Sequence, residues 1–310
     1  MTNGPARSYL TVTELSADEL TAVLDRADEH RADRRRRDAL DGRTIALIFE
    51  KPSTRTRVSF EVAVGELGGT PIVLSSRDLQ LGRGETVADT ARVLSRYVHG
   101  LVVRTFAQQR LEDLAEHGTV PVVNALSDHS HPCQVLADLQ TIRARVGALA
   151  GVRLAYVGDG NNVAHSLLRA GALAGMHVVV GAPAGHAPDP AVVAEATALA
   201  EVSDGSVTVT DDPAVAVKGA QVVYTDVWAS MGQEDAHDAR VATFRPYQVD
   251  AQLLAGAAGD AIVLHCLPAH RGEEIAADVI DGPQSAVWDQ AENRLHAQKA
   301  LLELLHGGLP

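Results

Sequence analysis

The sequence predicts an α/β protein with two doubly wound domains, each with a parallel sheet flanked by helices. Short apolar runs rich in Val, Ile and Leu alternate with helical patterns along the chain. Such runs are typical of strands buried on both faces of a parallel sheet. Aromatic residues make up only 4% of the chain, which suits a sheet covered by Ala-rich helices better than an aromatic-rich sandwich.

Four buried strands are predicted in the first half of the chain, and amphipathic helices separate them. The strands cover Thr44–Phe49, Pro71–Leu74, Leu101–Val103 and Val120–Val123. The helices cover Val58–Leu67, Val87–Tyr97 and Val135–Val146.

After Gly151 the strand–helix pattern restarts, which predicts a second domain. Its strands cover Arg153–Val157, His177–Val180, Val207–Thr210, Val222–Thr225, Ala261–His265 and Ala286–Trp288. Its helices include Val163–Ala174, and a last helix covers Ala291–Leu305. We therefore predict a first domain over 1–146, a second over 147–290 and a C-terminal helix over 291–310 that packs back on the first domain.

Charge and cysteine content exclude several classes of partner. The formal net charge is 27 − 40 = −13, so nucleic acid and anionic membranes would be repelled. The two cysteines form no C-x-x-C pair, which favours a reduced, cytoplasmic protein. No apolar stretch suits a signal peptide or a membrane span. The run Arg34–Arg37 lies among acidic residues and indicates a solvated helix end.

The strongest local signal is the run Ser53-Thr54-Arg55-Thr56-Arg57. It precedes the helix Val58–Leu67, and N–H groups at a helix start favour an anion. The hydroxyls and two guanidiniums add direct donors to phosphate oxygens. A cap needs only one hydroxyl, so the run predicts a phosphate-binding turn.

A second polar motif, His131-Pro132-Cys133-Gln134, lies at a predicted helix start. His131 and Gln134 on this first turn can reach one polarised oxygen or amide together. The alternative is a metal site, because His129, His131 and Cys133 are potential ligands within five residues. Alternate spacing in a loop rarely closes a tetrahedral site, so we expect no metal.

The segment Gly158-Asp159-Gly160-Asn161-Asn162-Val163 follows a predicted strand and resembles the start of a dinucleotide fingerprint. Val163 replaces the third glycine, so a nucleotide-binding oxidoreductase is a weak alternative. The carboxyl end of a strand in an open sheet is still where ligands bind. Asn162 offers both a donor and an acceptor there.

Two further motifs follow strands of the second domain. Asp226 can hold a cationic amine, and the Gly-ended segment after it suits a mobile lid; an ordinary helix cap at Asp226 is the other interpretation. His265-Cys266-Leu267-Pro268 ends the strand Ala261–His265. Its prolyl bond is a candidate for the cis isomer, and Cys266 is either a nucleophile or a buried small hydrophobe.

These segments, with Glu292-Asn293-Arg294, resemble the aspartate/ornithine carbamoyltransferase family over nearly the whole chain. The motifs S-T-R-T-R and H-P-x-Q are shared across that family and imply carbamoyl phosphate as the donor. Asp226 with Ser230-Met231-Gly232, and the H-C-L-P motif, imply ornithine as the acceptor. An aspartate-using member would have H-P-L-P and would lack S-M-G.

The resemblance also implies roles for individual residues. The carbamoyl-phosphate contacts would be Ser53, Thr54, Arg55, Thr56, Arg104, His131, Gln134 and Arg294, with Gln80 reaching into a neighbouring subunit's site. The ornithine contacts would be Asn162, Asp226, Ser230, Met231, Cys266 and Leu267. The catalytic residues would be Arg55, Arg104, His131 and Cys266. The implied assembly is a homotrimer or a multiple of trimers.

The implied reaction moves a carbamoyl group to the δ-amine of ornithine, giving citrulline and phosphate, in arginine biosynthesis or in the reverse catabolic route. Carbamoyl phosphate is already activated, so we expect no cofactor or metal; the enzyme must position the amine and stabilise an oxyanion. The alternative acceptors are acetylornithine, putrescine and aspartate. A non-catalytic binding protein on this fold would be expected to lose phosphate-site residues.

Overall fold

The computed structural model describes residues 6–35, 37–75, 84–228, 237–307 and 309. Internal contacts divide the chain into two units, Met1–Ala137 with Asn293–Pro310, and Asp138–Glu292. Both changes of unit fall within helices, whereas the boundaries predicted from the sequence lie at 146/147 and 290/291. Those boundaries stay a prediction.

The first unit is built on a four-stranded parallel sheet with the order β2-β1-β3-β4. The strands are β1 (Thr44–Phe49), β2 (Thr70–Ser75), β3 (Gly100–Arg104) and β4 (Val122–Leu126). The helices that begin in this unit are α1 (Ala17–Ala32), α2 (Thr54–Glu66), α3 (Val87–Leu94), α4 (Gln108–His117) and α5 (Pro132–Val146).

The second unit contains a five-stranded parallel sheet with the order β7-β6-β5-β8-β9. The strands are β5 (Arg153–Val157), β6 (His177–Gly181), β7 (Ser206–Thr210), β8 (Val222–Thr225) and β9 (Ile262–His265). The helices that begin here are α6 (Asn162–Leu173), α7 (Pro190–Ser203), α8 (Pro213–Val217), α9 (His237–Phe244), α10 (Ala251–Leu254), α11 (Ala277–Ile280) and α12 (Val287–Leu305).

Burial explains why the apolar runs became strands. Every residue of Gly100–Arg104 is buried, and so is every residue of Val222–Thr225. Continuous burial is expected for central strands of a parallel sheet that helices cover on both faces. The α/β class with two doubly wound sheets is therefore confirmed. Within the described residues, no helix has the length and apolar character that a membrane crossing requires.

One predicted strand, Ala286–Trp288, is wrong. Ser285 forms only an isolated bridge with Val263, and the N–H of Gln290 donates to the carbonyl oxygen of Ala286 at 2.9 Å, which begins a helix. An apolar run of three residues does not distinguish a strand from a buried helix start. The last helix therefore begins at Val287 and not at Ala291.

Both sheets reverse their strand order next to the predicted motifs. β1 lies between β2 and β3, and β5 lies between β6 and β8. Connections leave such a point in opposite directions and open a crevice at the carboxyl ends of the strands, where ligands bind in open α/β sheets. We therefore expect the ligand-binding residues of each unit at the carboxyl ends of β1, β3, β5 and β8.

Candidate active site

The turn that follows β1 leaves its helix start open. Ser53 occupies the N-cap position of α2 with extended backbone, and its side chain makes no capping hydrogen bond in the described structure. The N–H groups of the first helical turn are therefore available to an anion. Thr56 is buried, whereas Thr54 and Arg55 are exposed. The predicted phosphate-binding residues thus lie together on one helix start.

Arg55 and Arg57 differ in their surroundings. The Nε of Arg57 donates to Glu61 Oε1 at 2.6 Å, one helical turn further along α2. Arg55 forms no ion pair with any described residue and influences His131 electrostatically. The sequence pattern suggested that both guanidiniums bind phosphate, and the structure favours Arg55 for this role.

Arg294 on α12 connects two of the predicted motifs within the first unit. Its Nη1 donates to Gln134 Oε1 at 2.6 Å, and its Nη2 donates to Thr56 Oγ1 at 3.1 Å. All three side chains are buried. Charge-assisted hydrogen bonds of this kind hold a buried arginine in one orientation. The sequence separates Thr56, Gln134 and Arg294 widely, and the fold brings them into one network.

His131 lies among these groups and is 5% exposed. Burial lowers its pKa well below 6.5, and the charges of Arg294, Arg104 and Arg55 lower it further. Arg104, at the end of β3, is itself buried. The imidazole is therefore neutral at pH 7 and can donate one hydrogen bond. Three guanidiniums acting on one point create a local positive potential, which would favour an anion even in an acidic chain.

The neighbouring cysteine argues against a metal at this motif. Cys133 is fully buried, its thiol donates to the carbonyl oxygen of Asn124 at 3.3 Å, and burial raises its pKa to about 12. Metals bind the thiolate, which is disfavoured here. Two other groups of possible ligands occur among the described residues, Asp226 with His265 and Cys266, and His270 with Glu273 and Glu274. The absence of a metal stays a prediction.

The second unit carries the predicted amine-binding carboxylate. Asp226 follows β8 and is 5% exposed. Its Oδ1 accepts the N–H of Val227 at 2.8 Å and the thiol of Cys266 at 2.9 Å, and its Oδ2 accepts the amide NH₂ of Asn161 at 2.9 Å. These three donors make Asp226 a fixed hydrogen-bond acceptor; residues 229–236, on which the helix-cap interpretation depends, lie outside the described residues. Asn162, predicted as a ligand, is the first residue of α6 beside it.

The segment after β9 is held in an unusual conformation beside Asp226. The Leu267–Pro268 bond is cis, as the sequence suggested, and Leu267 has a φ of 58°. Positive φ is unfavourable for a branched side chain. The N–H of Leu267 donates to His265 Nδ1 at 2.8 Å, and His265 Nε2 lies 3.0 Å from Glu274 Oε1. This buried pair fixes the turn that carries Cys266.

Three predicted ligands, Gln80, Ser230 and Met231, lie outside the described residues. The site residue that sequence reasoning missed is Asn161, which bonds to Asp226. Its position between Gly160 and Asn162 at a helix start was the available signal, because Asn is a preferred N-cap residue.

The glycine-rich segment is shaped by packing. A Cβ on Gly160 would lie 2.2 Å from the backbone nitrogen of Pro188. Asp159 forms an ion pair with Arg240 at 2.5 Å. Close backbone approach therefore explains Gly160, and the structure gives no support to a dinucleotide site here.

Comparison with known proteins finds two domains of one family along the chain. The carbamoyl-P binding domain of the aspartate/ornithine carbamoyltransferase family matches residues 7–144. The Asp/Orn binding domain of that family matches residues 150–305.

Individual relatives are similar in sequence to this chain over almost their whole length. An ornithine carbamoyltransferase of Acidothermus cellulolyticus is 62% identical over 300 residues, which is 96% of each chain. The ornithine carbamoyltransferase of Pyrococcus furiosus described as anabolic is 53% identical over 98% of this chain and 97% of its own. A solved structure of ornithine carbamoyltransferase from Pyrococcus furiosus superposes with a TM-score of 0.95 at 52% identity, covering 100% of both chains.

Proposed function

The chain belongs to the aspartate/ornithine carbamoyltransferase family, and from this premise we propose how its residues perform the reaction. It transfers the carbamoyl group of carbamoyl phosphate to the δ-amine of L-ornithine, giving L-citrulline and phosphate. The Acidothermus cellulolyticus relative named ornithine carbamoyltransferase is 62% identical over 96% of each chain. This similarity favours ornithine over acetylornithine, putrescine or aspartate as the acceptor.

The observation that carries the donor assignment is the buried network in which Arg294 donates to Gln134 and Thr56. The lowered pKa of His131, caused by burial and by Arg294, Arg104 and Arg55, supports it. We assign phosphate binding to Arg55 and Arg104, to the hydroxyls and amides of the turn (Ser53, Thr54 and Thr56) and to Arg294. The carbamoyl group would bind to His131 and Gln134. A neutral imidazole suits this role because it donates a hydrogen bond without adding a further charge.

The acceptor would bind to the second unit. Asp226 is oriented by three donors, so its carboxylate can accept hydrogen bonds from an amine of ornithine in a fixed direction. We assign Asn162 and Leu267 to the same ligand, together with Ser230 and Met231 on the strength of the family resemblance. Cys266 would lie over the reacting amine, with its thiol aligned by Asp226.

The proposed chemistry is a direct attack. The neutral δ-amine forms a bond to the carbonyl carbon, and charge develops on the carbonyl oxygen, where Arg55, Thr56, Arg104 and His131 would stabilise it. The bond from that carbon to the phosphate oxygen then breaks. The amine proton leaves with the departing phosphate, so the step balances without a covalent enzyme intermediate.

Three finer assignments complete the proposal. A homotrimer, or a multiple of it, would let Gln80 reach a neighbouring subunit's donor site, as the family resemblance implies. The anabolic description of the Pyrococcus furiosus relative supports a role in arginine biosynthesis. A cytoplasmic location stays a prediction and is compatible with Cys133 and Cys266 both being free thiols.

Substituting Arg55 and Arg57 in turn, and measuring citrulline formation by each variant, tests the donor assignment. Arg55→Ala removes two charge-assisted hydrogen bonds of about 1.5–3 kcal/mol each, so kcat/KM for carbamoyl phosphate should fall about a hundredfold or more. Arg57→Ala is the matched control, because Arg57 pairs with Glu61 on the surface, and such pairs contribute about 0–1 kcal/mol. Equal effects of the two substitutions would contradict the assignment.

A further inference from the structure

Asn161 connects a helix start to the proposed acceptor carboxylate. Its Oδ1 accepts the N–H of Val163 at 2.9 Å and that of Ala164 at 3.2 Å, which caps α6. Its Nδ2 donates to Asp226 Oδ2 at 2.9 Å. One side chain therefore satisfies two backbone donors and one carboxylate oxygen.

The direction of this amide is fixed by its partners. Backbone N–H groups can only donate, so the amide oxygen must face α6. The NH₂ group must then face Asp226. The reversed amide would set donors against donors and its oxygen against a carboxylate, which is unfavourable on both sides.

Asn161 completes the immobilisation of Asp226. The other carboxylate oxygen is held by the N–H of Val227 and the thiol of Cys266. Rotation of the carboxylate would break its hydrogen bonds to the adjacent Val227 and to two distant segments of the second unit. The direction in which Asp226 can accept from a ligand amine therefore depends on Asn161 on its Oδ2 side.

Among the residues that cap helices well, only Asn meets both demands. Ser and Thr supply an oxygen for the helix but no NH₂ group that reaches the carboxylate. Asp supplies the oxygen but would place a second carboxylate against Asp226. We propose that Asn161 is a positioning residue for the acceptor: it orients Asp226 toward ornithine while it caps α6. This inference rests on the proposed function of Asp226.

Substituting one cap residue for another separates the two roles. Asn161→Ser should keep thermal stability close to wild type, since Asn and Ser cap about equally well. Asn161→Asp keeps the cap but sets a second carboxylate against Asp226, so it should lose some stability. For Asn161→Ser, kcat/KM for ornithine should fall about tenfold, the loss of one hydrogen bond to a charged group. Asn161→Asp should fall about a further tenfold, and KM for carbamoyl phosphate should stay unchanged in both.

Asp189→Ser is the matched control. Asp189 caps α7 by accepting the N–H of Ala191 at 2.8 Å. This substitution changes a helix cap in the same unit and should leave the ornithine kinetics unchanged.

The order of kcat/KM for ornithine among the variants distinguishes a positioning residue from a helix cap. If Asn161 served only as a cap, Asn161→Asp would retain more activity than Asn161→Ser, because Asp is the closest isostere of Asn. A higher activity of Asn161→Asp than of Asn161→Ser would therefore overturn the inference. Unchanged ornithine kinetics in Asn161→Ser would overturn it too. A wild-type protein that forms no citrulline would instead refute the proposed function. The wild-type assay is therefore run first.

Discussion

The imidazole of His131 is buried, and burial together with Arg294, Arg104 and Arg55 holds its pKa well below 6.5. The unfolded chain therefore binds a proton at this residue before the folded protein does as the pH falls. The resulting contribution to stability is complete above pH 6.5 and is lost as the pH falls below that value toward the folded pKa. Residue-level electrostatics thus predict acid sensitivity.

Between pH 6.5 and 5.5, wild-type protein should lose up to about 1 kcal/mol more unfolding free energy than His131→Asn. Urea unfolding at both pH values measures this difference. His306, whose pKa burial lowers to about 4, changes stability in the same direction in both proteins and cancels in the comparison. Equal losses would show that His131 titrates normally in the folded state.

Dense polar motifs allow single residues to be proposed as ligands from the sequence, and those roles stay predictions. Ser53, Thr56, His131 and Gln134 occur in short runs that few structural roles explain. Asn161 was missed because its partner, Asp226, is 65 positions away, and only the topology brings β5 and β8 together.

At the scale of elements, the start of α2 is specialised. Ser53 makes no capping hydrogen bond in the described structure, whereas Thr86 caps α3 by accepting the N–H of Asp89 at 3.1 Å. Replacing Ser53 would therefore remove no capping hydrogen bond from α2. The hydroxyl of Ser53 is therefore available to a ligand.

Ser53→Ala should leave the unfolding free energy nearly unchanged and raise KM for carbamoyl phosphate. Thr86→Ala should destabilise the protein by about 0.5–2 kcal/mol, as loss of a cap does, with KM unchanged. Chemical unfolding and donor titrations on both variants give the comparison. A large loss of stability in Ser53→Ala, with normal KM, would mean that the residue is structural.

Most strands were predictable because central parallel strands are continuous apolar runs bounded by turns. Arg153–Val157 and Val222–Thr225 are found at their predicted bounds. The run at Ala286–Trp288 misled because three apolar residues do not distinguish a strand from a helix start. Ala286 and Val287 are buried and Trp288 is 62% exposed. The hydrogen bond from the N–H of Gln290 to the carbonyl oxygen of Ala286 shows that the run begins a helix.

At the scale of the whole molecule, each unit carries polar groups at the point where its strand order reverses. The turn after β1 and Arg104 at the end of β3 belong to the first unit; Asn162 and Asp226 belong to the second. The sequence could place these residues at strand ends. Which strands are neighbours was beyond it, because strand order depends on pairing between distant segments.

The assembly proposal is tested by mixing subunits. Gln80→Ala and Arg55→Ala proteins should each be nearly inactive alone, because each removes a different contact to the donor. If one subunit's Gln80 serves another's turn, mixed oligomers should recover a minority fraction of wild-type activity. No recovery, with mixing confirmed by native mass spectrometry, would mean that each chain completes its own site.

The most direct test of the account is the choice of amine. With carbamoyl phosphate as donor, kcat/KM should be determined for ornithine, acetylornithine, putrescine and aspartate. We expect citrulline as the main product and a preference for ornithine of at least about tenfold, the effect of one lost charged hydrogen bond. An equal or higher kcat/KM for any of the other three amines would contradict the assignment, and so would the absence of citrulline.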